Sequence, residues 1–355
     1  GSTIPRNGTP CLPARRCSCS NSKETNHDHL IKRLARRSGL LVAAGLLAGA
    51  AGAASAAYPE RAVTLVVTYP PGGTVDVVAR LIGPKLAAEL GQPVVIENRG
   101  GAGGMIGGAV VAKAQPDGYT LMLDASNHAQ NPALHSKMQF DTLTAFAPVS
   151  LLLRVPNVLV VTPSYEVKTV ADLIKLGQPG AKDHVYFASA GPGSAQHLAG
   201  ELFNLLAKTQ LQHVAYKGGG PAMIDVMSGQ VPVMFASMGS AWQHVKNGKL
   251  RAVAVGGLER SKTAPDLPTI AESGVPGYET YEWNAVFAPA GTPPAIVDQV
   301  SQALAKVLKD PAIAEQLAGI GAEPIGSTPA ELDTFRRAEI AKWQRVVKEA
   351  DLKLD

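Results

Sequence analysis

Two separate segments of the chain follow the same plan: an apolar strand, a glycine-rich turn and the start of a helix. The first covers residues 64–76 and the second covers residues 184–197. Such a turn presents unpaired backbone N–H groups and the positive end of the helix dipole to whatever lies above it. Neither segment contains Lys or Arg. A chain with two such turns is predicted to form two lobes that close on a small anion, and we expect a carboxylate.

From Tyr58 onward, short runs of Val, Leu and Ile alternate with longer amphipathic stretches. This rhythm predicts an α/β fold, in which a mostly parallel sheet carries helices on both faces. Strands are predicted at 63–68, 94–96, 120–123 and 158–162, and helices at 75–90 and 102–113.

Three later segments carry the signals of a helix start. Thr169–Asp172 and Thr328–Glu331 have the capping-box pattern, and Thr292 is followed by two prolines, which suit a first helical turn. The last of these helices is predicted to run through Val347. Its apolar face is marked by Ile340, Trp343 and Val347, at spacings of three and four residues.

The N-terminal 57 residues are predicted to be a leader outside the fold. Residues 1–27 precede the usual position of a signal sequence. We expect them to be a cloning remnant or the product of an upstream start, and not part of the fold. Basic residues at 32–37 are followed by an apolar run from Leu40 to Ala53 and by a small-residue cleavage site. This order is typical of a secretory signal peptide cleaved near Ala56. A retained membrane anchor is the alternative, and the short, Ala- and Gly-rich run disfavours it.

Removal of this leader changes the charge and the cysteine content. Eight of the 33 Lys and Arg and two of the 29 Asp and Glu precede Tyr58, which leaves 25 and 27, a net charge of −2. No basic surface for nucleic acid is expected from this balance. Cys11, Cys17 and Cys19 all lie in the leader, so the remaining chain has no thiolate metal site. We expect neither a metal nor a cofactor.

The first turn offers several candidate ligand contacts. Gly72 and Gly73 allow a ligand close to the backbone, and Thr74 offers a hydroxyl. Asp76 is a candidate contact or acid, but a carboxylate in a first helical turn more simply caps N–H groups.

The second turn invites two interpretations. Ser189, Ala190, Gly193 and Ser194 could receive a ligand, with His197 as a partner in the first helical turn. Alternatively, Ser194 and His197 could form the catalytic pair of a secreted hydrolase or transferase. A nucleophile elbow requires glycine two residues before and after the serine. Pro192 and Gln196 occupy those positions here, which disfavours catalysis.

Further candidate contacts follow other predicted strands, where ligands of open α/β sheets bind. They are Ser126, Asn127, His128, Asn131, Lys217, Gly218, Gly219, Ser237 and Trp283. His128 is either a ligand contact or a loop histidine with its own partners. Lys217 is either the cation that meets the anion or a solvated side chain, and Trp283 either walls the cleft or fills the core.

An ordered series of motifs covers the chain from Tyr58 to its end. It comprises Tyr69-Pro-Pro-Gly-Gly-x-x-Asp-x-x-Ala-Arg80, Val95-Ile-Glu-Asn-Arg-Gly-Gly-Ala-Gly-Gly104, Pro116-Asp-Gly-Tyr-Thr120, Ser189-x-Gly-x-Gly-Ser-x-x-His-Leu198, His213-Val-x-Tyr-Lys-Gly218, Gly248-Lys-Leu-Arg-Ala252 and Phe287-Ala-Pro-Ala-Gly-Thr-Pro293. This series closely resembles the periplasmic solute receptors of tripartite tricarboxylate transporters, also called Bug receptors.

The resemblance implies a periplasmic-binding-protein type II fold without catalysis. Residues 58–157 and 285–355 would form one lobe and residues 158–284 the other, with crossings in the Pro-rich segments 148–163 and 283–294. Tyr69 and the turns 70–76 and 189–194 would grip a carboxylate, and residues 126–131, 217–219 and 237–240 would line the rest of the cleft. The implied partners are a di- or tricarboxylate, an acidic amino acid or an aromatic acid, and a membrane permease or a sensor protein. We expect a monomer in the periplasm.

Overall fold

Strands built from the Val, Leu and Ile runs form a mixed sheet at the centre of the fold in the computed structural model, which describes residues 58–352. The strands are β1 (Val63–Val67), β2 (Val94–Asn98), β3 (Thr120–Ala125), β4 (Phe146–Val161), β5 (Tyr186–Ser189), β6 (Gln212–Ala215), β7 (Val233–Ser237), β8 (Arg251–Val255), β9 (Tyr281–Pro289) and β10 (Glu323–Pro324). The predicted signal peptide and the three cysteines lie outside the described residues.

Amphipathic helices connect and cover these strands. They are α1 (Thr74–Leu90), α2 (Met105–Ala112), α3 (Asn127–Leu134), α4 (Val170–Leu176), α5 (Ala195–Ala207), α6 (Gly219–Ser228), α7 (Met238–Lys246), α8 (Pro294–Leu308), α9 (Pro311–Gly319) and α10 (Pro329–Glu349). A short 3-10 turn at Ala102–Gly104 precedes α2. No helix between residues 58 and 352 is both long enough and apolar enough to cross a bilayer.

The strands form two sheet regions that share β4. In the first, β1 lies between β2 and β3 and is parallel to both, while β9 is antiparallel to β3 and to β4. In the second, β5 lies between β6 and β7 and is parallel to both, and the last residues of β4 pair antiparallel with β7 and β8. The predicted α/β fold is confirmed, but the expectation of a mostly parallel sheet is wrong: the sheet is mixed, because β4 and β9 are antiparallel to the strands beside them. Residues from Tyr58 onward group into one compact unit, and the lobe boundaries at 157/158 and 284/285 stay a prediction.

Strand β4 is far longer than the sequence pattern predicts. The pattern starts a strand at Val158 and treats the preceding prolines as a connection, whereas the structure continues the strand back to Phe146. The register shifts between Pro148 and Ser150, so Pro148 lies beside an irregularity in the ladder. Such an irregularity accommodates a residue that has no N–H to donate.

The predicted helix starts are confirmed. Thr169 Oγ1 accepts from the Asp172 N–H and Thr328 Oγ1 accepts from the Glu331 N–H, and both boxes are reciprocal. Pro294 is the first residue of α8. The predicted apolar face of α10 is buried and packs against α3, α5 and β4.

Two buried tryptophans are tied together by one carboxylate of α10. The indole N–H groups of Trp283 and Trp343 both donate to Glu339 Oε2, at 3.3 and 3.1 Å. Lys342 forms an ion pair with the same carboxylate. Because Trp283 belongs to β9, this cluster fixes α10 against a strand of the first sheet region.

Candidate functional site

A cavity of about 690 Å³ lies between the two glycine-rich turns. Its walls are the two turns, the segment around the 3-10 turn, the start and end of α3, and the central strands β4 and β9. The lining residues include Tyr69, Gly73, Thr74, Val75, Gly103, Met105, Ser126, Asn127, Asn131, Leu134, His135, Leu153, Val155, Gly193, Ser194, Ala195, Gln196, Glu282, Trp283 and Asn284. The two segments with the same sequence plan therefore face one space.

In the first turn, Asp76 serves the loop itself. Its carboxylate accepts from the Gly72 N–H at 2.8 Å, from Arg80 Nε at 3.0 Å and from Asn98 Nδ2 at 2.9 Å. The hydrogen bond from Arg80, followed by that from Gly72, lowers the pKa of Asp76 to about 2. Asp76 and Gly72 do not line the cavity, because the Gly72 N–H and the carboxylate are turned towards each other. Asp76 therefore accepts from the N–H of the turn before the helix and from two side chains, and it does not cap an N–H of α1.

In the second turn, the side chains also hold the loop. Ser194 Oγ accepts from the backbone N–H of His197, and the ring Nδ1 of His197 accepts from the Gly193 N–H at 3.0 Å. The other ring nitrogen of His197 lies 3.6 Å from Glu201 Oε1. Because Nδ1 accepts from the Gly193 N–H and Ser194 Oγ accepts from the His197 backbone N–H, the structure shows no hydrogen bond between the imidazole and the Ser194 hydroxyl that would align it as a base.

Backbone N–H groups remain at both turns. The first N–H groups of any α-helix have no intrahelical acceptor. Helix α1 has no side-chain cap, and the cap of α5 takes only the N–H of His197. Thr74 and Val75 begin α1, Ala195 and Gln196 begin α5, and all four line the cavity. The cavity thus receives the positive ends of two helices.

Polar side chains of α3 and its neighbours form one wall. The Tyr69 hydroxyl donates to Asn127 Oδ1 at 3.1 Å, and Asn131 Nδ2 donates to the Gly103 carbonyl at 2.9 Å. Ser126 Oγ accepts from the Trp283 N–H at 2.8 Å. Burial, followed by the charge of Asp124, raises the pKa of Tyr69 well above its usual range, so Tyr69 stays a neutral phenol.

Of the predicted contacts, several lie outside this lining: Gly72, Asp76, His128, Ser189, Ala190, His197, Lys217, Gly218, Gly219 and Ser237. His128 is buried, its Nδ1 lies 3.0 Å from Asp124 Oδ2, and its ring stacks on Phe287. Ser189 is buried, and its hydroxyl lies within hydrogen-bonding distance of Gly191 and His213. Lys217 is exposed, and its loop is held by a bond from the Gly218 N–H to the Ala190 carbonyl.

The most consequential lining residue that the sequence patterns missed is Glu282 on β9. Its Oε1 accepts from Gln196 Nε2 at 2.9 Å, which joins β9 to the start of α5. Burial raises the pKa of Glu282, and a hydrogen bond from Ser237 partly offsets that rise. A signal was present, because Glu282 and Asn284 flank Trp283 in an otherwise apolar strand.

Two stacked imidazoles lie beneath the second turn. The rings of His197 and His213 are 3.8 Å apart, and His213 Nε2 lies 2.6 Å from Ser189 Oγ. Burial, together with the charge of His197 and against that of Glu201, lowers the pKa of His213 to about 4. In the folded protein His213 is therefore neutral at pH values where the unfolded chain already binds a proton.

This stack predicts a specific loss of stability in acid. Folding lowers the pKa of His213 from 6.5 to about 4. The contribution of this residue to the free energy of unfolding is therefore fully present above pH 6.5 and is lost as the pH falls towards 4. We expect His213→Gln to flatten the fall in unfolding free energy between pH 6.5 and 4, measured by urea unfolding. His184→Gln, which removes an exposed imidazole, is the control and should leave the slope unchanged. Equal slopes for all three proteins would contradict the prediction.

The cavity carries few charges. Among its lining residues in the described part of the chain there is no Lys or Arg, and Glu282 is the one carboxylate. Within residues 58–352 no group of three or more His, Cys, Asp or Glu is arranged to hold a metal ion. An anion in this cavity would therefore be received by N–H dipoles, hydroxyls and amides.

Known proteins resemble this chain over most of its length. A sequence model described as "Tripartite tricarboxylate transporter family receptor" matches residues 78–352. Protein BugT of Bordetella pertussis is 38% identical over 323 residues, which cover 89% of this chain and 98% of BugT.

Solved structures agree with these sequence matches. R. palustris Rpa4515 with adipate shares 38% identity and a TM-score of 0.72, covering 84% of this chain and 100% of that one. MatC from Rhodopseudomonas palustris with bound malate shares 34% identity and a TM-score of 0.69, covering 82% and 100%.

Proposed function

The chain belongs to the tripartite tricarboxylate transporter receptor family, and from this premise we propose that it binds a small carboxylate in the cavity between its two glycine-rich turns. The observation that carries the proposal is that two helix N-termini, those of α1 and α5, meet at one cavity whose lining, among the described residues, contains no Lys or Arg. N–H dipoles aimed at one point stabilise a negative charge. The adipate and malate bound by relatives are carboxylates of this kind.

The proposal assigns the N–H groups of Thr74, Val75, Ala195 and Gln196 as donors to the carboxylate. Gly72 and Gly193 are excluded from that role, because their N–H groups already bind Asp76 and His197. The side chains of Asp76 and His197 thus shape the turns and leave the helix ends open.

As a receptor of this family, the protein is proposed to work in the periplasm. The expected leader before Tyr58 would direct export, and a membrane permease would take the ligand from the receptor. The hydrolase alternative receives no support from the second turn, where Ser194 and His197 are bonded to backbone groups of the turn.

A thermal-shift screen with small mono-, di- and tricarboxylates tests the proposal. A ligand present at about 100 times its Kd stabilises the folded state by about 2.7 kcal/mol and raises the melting temperature. Neutral sugars and simple amines serve as controls. Stabilisation by these controls, with none by any carboxylate, would contradict the proposal.

Removal of one N–H from the second helix end should weaken binding. Ala195 is the first residue of α5, where proline is tolerated, and Ser194 has the extended conformation that favours a following proline. We expect Ala195→Pro to raise the Kd for a carboxylate ligand by roughly 10–100-fold, because a hydrogen bond to a charged group is worth about 1.5–3 kcal/mol. Isothermal titration calorimetry measures the change.

The matched control for Ala195→Pro is Ala195→Gly, which keeps the N–H group. Its Kd should stay within about threefold of the unmodified protein, and both variants should unfold cooperatively. If Ala195→Pro binds as tightly as Ala195→Gly, the N–H of residue 195 is not a donor to the ligand.

A further inference from the structure

The charges in the cavity restrict which carboxylate it can hold. Among the described residues that line the cavity, Glu282 is the one carboxylate, and there is no Lys or Arg. The lining therefore has no cation that could balance a second anionic group of a ligand. His135, at the end of α3, is the only lining imidazole in the described chain. A single carboxylate is received by the two helix ends, but a second one beside Glu282 would meet a like charge.

Glu282 is held so that its carboxylate faces the cavity. It is half-buried on β9, and Gln196 Nε2 donates to its Oε1 at 2.9 Å. Gln196 is also the second residue of α5, so this bond ties the carboxylate to one of the two helix ends. Burial raises the pKa of Glu282, and a hydrogen bond from Ser237 partly offsets that rise, but no Lys or Arg of the described cavity lining pairs with this carboxylate.

Asn284 is a second polar residue on the same face of β9. It lies two residues after Glu282, lines the cavity and is 4% exposed. Its Nδ2 donates to the Trp283 carbonyl at 3.0 Å, while its Oδ1 has no hydrogen-bond partner within the described residues. The unpartnered Oδ1 of Asn284 is shielded from solvent, so the acceptor that strand β9 offers to a ligand is the carboxylate of Glu282, and a charged acceptor at the edge of a cavity favours a ligand that brings a donor.

We infer that the ligand carries, besides its carboxylate, a hydrogen-bond donor group, an ammonium or a hydroxyl, which Glu282 accepts. This inference rests on the proposed function, since the carboxylate is the group that the helix ends bind. The two sets of protein groups are complementary: N–H dipoles of α1 and α5 on one side and the Glu282 carboxylate of β9 on the other.

The cavity also indicates what joins these two groups. Leu153 and Val155 of β4, with Met105 and Leu134, are apolar parts of the lining. These side chains suit a hydrocarbon chain or an aromatic ring between the carboxylate and the donor. The ligand class is thus a small amino or hydroxy acid with an apolar body.

Two matched series of acids test the inference with the unmodified protein. In one series the acids share a straight aliphatic chain, and in the other they share the ring of benzoic acid. Within each series, the end opposite the carboxylate carries a methyl, hydroxymethyl, aminomethyl or second carboxylate group. We expect the hydroxymethyl or the aminomethyl member to bind at least about tenfold more tightly than the methyl and carboxylate members in titration calorimetry. A preference for the aminomethyl member identifies an ammonium ligand, and a preference for the hydroxymethyl member identifies a hydroxyl ligand.

Glu282→Gln links this preference to the residue. The variant keeps the size of the side chain and removes its charge, so the preference for an aminomethyl member should fall at least about tenfold, while the carboxylate member should bind equally or better. Glu259→Gln removes the charge of an exposed glutamate that lies outside the cavity lining, so it is the matched control and should retain the preference. If Glu282→Gln does not fold, the order of affinities of the unmodified protein for the two series of acids still tests the inference.

The failures are distinguishable. If the carboxylate-ended acids bind as tightly as the donor-ended ones, or bind with proton uptake, Glu282 receives a second acid group and the inference is wrong, although the proposed function stands. If no member of either series and no other carboxylate binds, the proposed function fails as well.

Discussion

Replacement of Arg336 by methionine is expected to lower the free energy of unfolding by about 3–5 kcal/mol. Arg336 is 2% exposed, and its guanidinium donates to the carbonyls of Phe146, Leu143 and Thr142 at 3.2–3.4 Å. Its Nε also donates to Asp333 Oδ1 at 2.7 Å. Methionine fills much of the space but leaves the carbonyls without donors, and each unpaired buried acceptor is costly.

The neighbouring residue supplies a matched control for that substitution. Arg337 binds the same Asp333 through its Nε at 2.8 Å, but its side chain is 55% exposed. Arg337→Met should change the unfolding free energy by no more than about 0.5 kcal/mol. Urea unfolding measures both variants, and Arg336→Met should also melt roughly 5–15 °C lower. A loss no larger than that of Arg337→Met would show that water or other groups satisfy the carbonyls.

Replacement of Gly200 by valine is expected to cost at least about 3 kcal/mol. Gly200 lies within α5, and a Cβ at this position would come under 3.0 Å from three ring atoms of Phe187. Phe187 is fully buried and packs against the rings of His213 and Phe235. The ring cannot withdraw without disturbing them, so the damage should reach the second glycine-rich turn.

Gly220 is the control for this position. It is also helical, in α6, but a Cβ there would meet nothing within 4 Å. Because valine is a better helix former than glycine, Gly220→Val should leave the unfolding free energy unchanged or raise it slightly. Comparison of Gly200→Val with Gly220→Val thus separates the effect of steric overlap from that of helix propensity. Thermal unfolding measures the stability of both variants. A relieving second substitution, Phe187→Leu, should restore part of the loss in Gly200→Val, and absence of any rescue would point to another cause.

The parts of the fold that are local in sequence were predictable. Capping boxes at Thr169 and Thr328 involve residues three apart, and their bonds appear as the pattern requires. The bond from the Gly72 N–H to Asp76, four residues apart, is local in the same sense. The early part of β4 was not predictable, since Pro148 and Pro156 read as breakers and only pairing with β9 makes the segment a strand.

In the candidate site, too, the features that are local in sequence were predictable and those that depend on distant residues were not. The two turns were found because each carries its glycines and its helix start in one segment. Glu282 was missed because its meaning depends on Gln196, which lies 86 positions away in the sequence. Ser189 and His128 were assigned to the cavity from their place after a strand, but their orientation is set by His213 and Phe287, which come from other parts of the chain.

The continuity of β4 has a mechanical consequence. A hinge made of loop residues rotates through changes in a few dihedral angles and offers little resistance. Here β4 runs unbroken from the first sheet region, where it pairs with β9, into the second, where it pairs with β7 and β8. Any change in angle between the regions must bend this ladder elastically, most easily at its register shifts. We therefore expect β4 to resist any change of angle between the two sheet regions elastically.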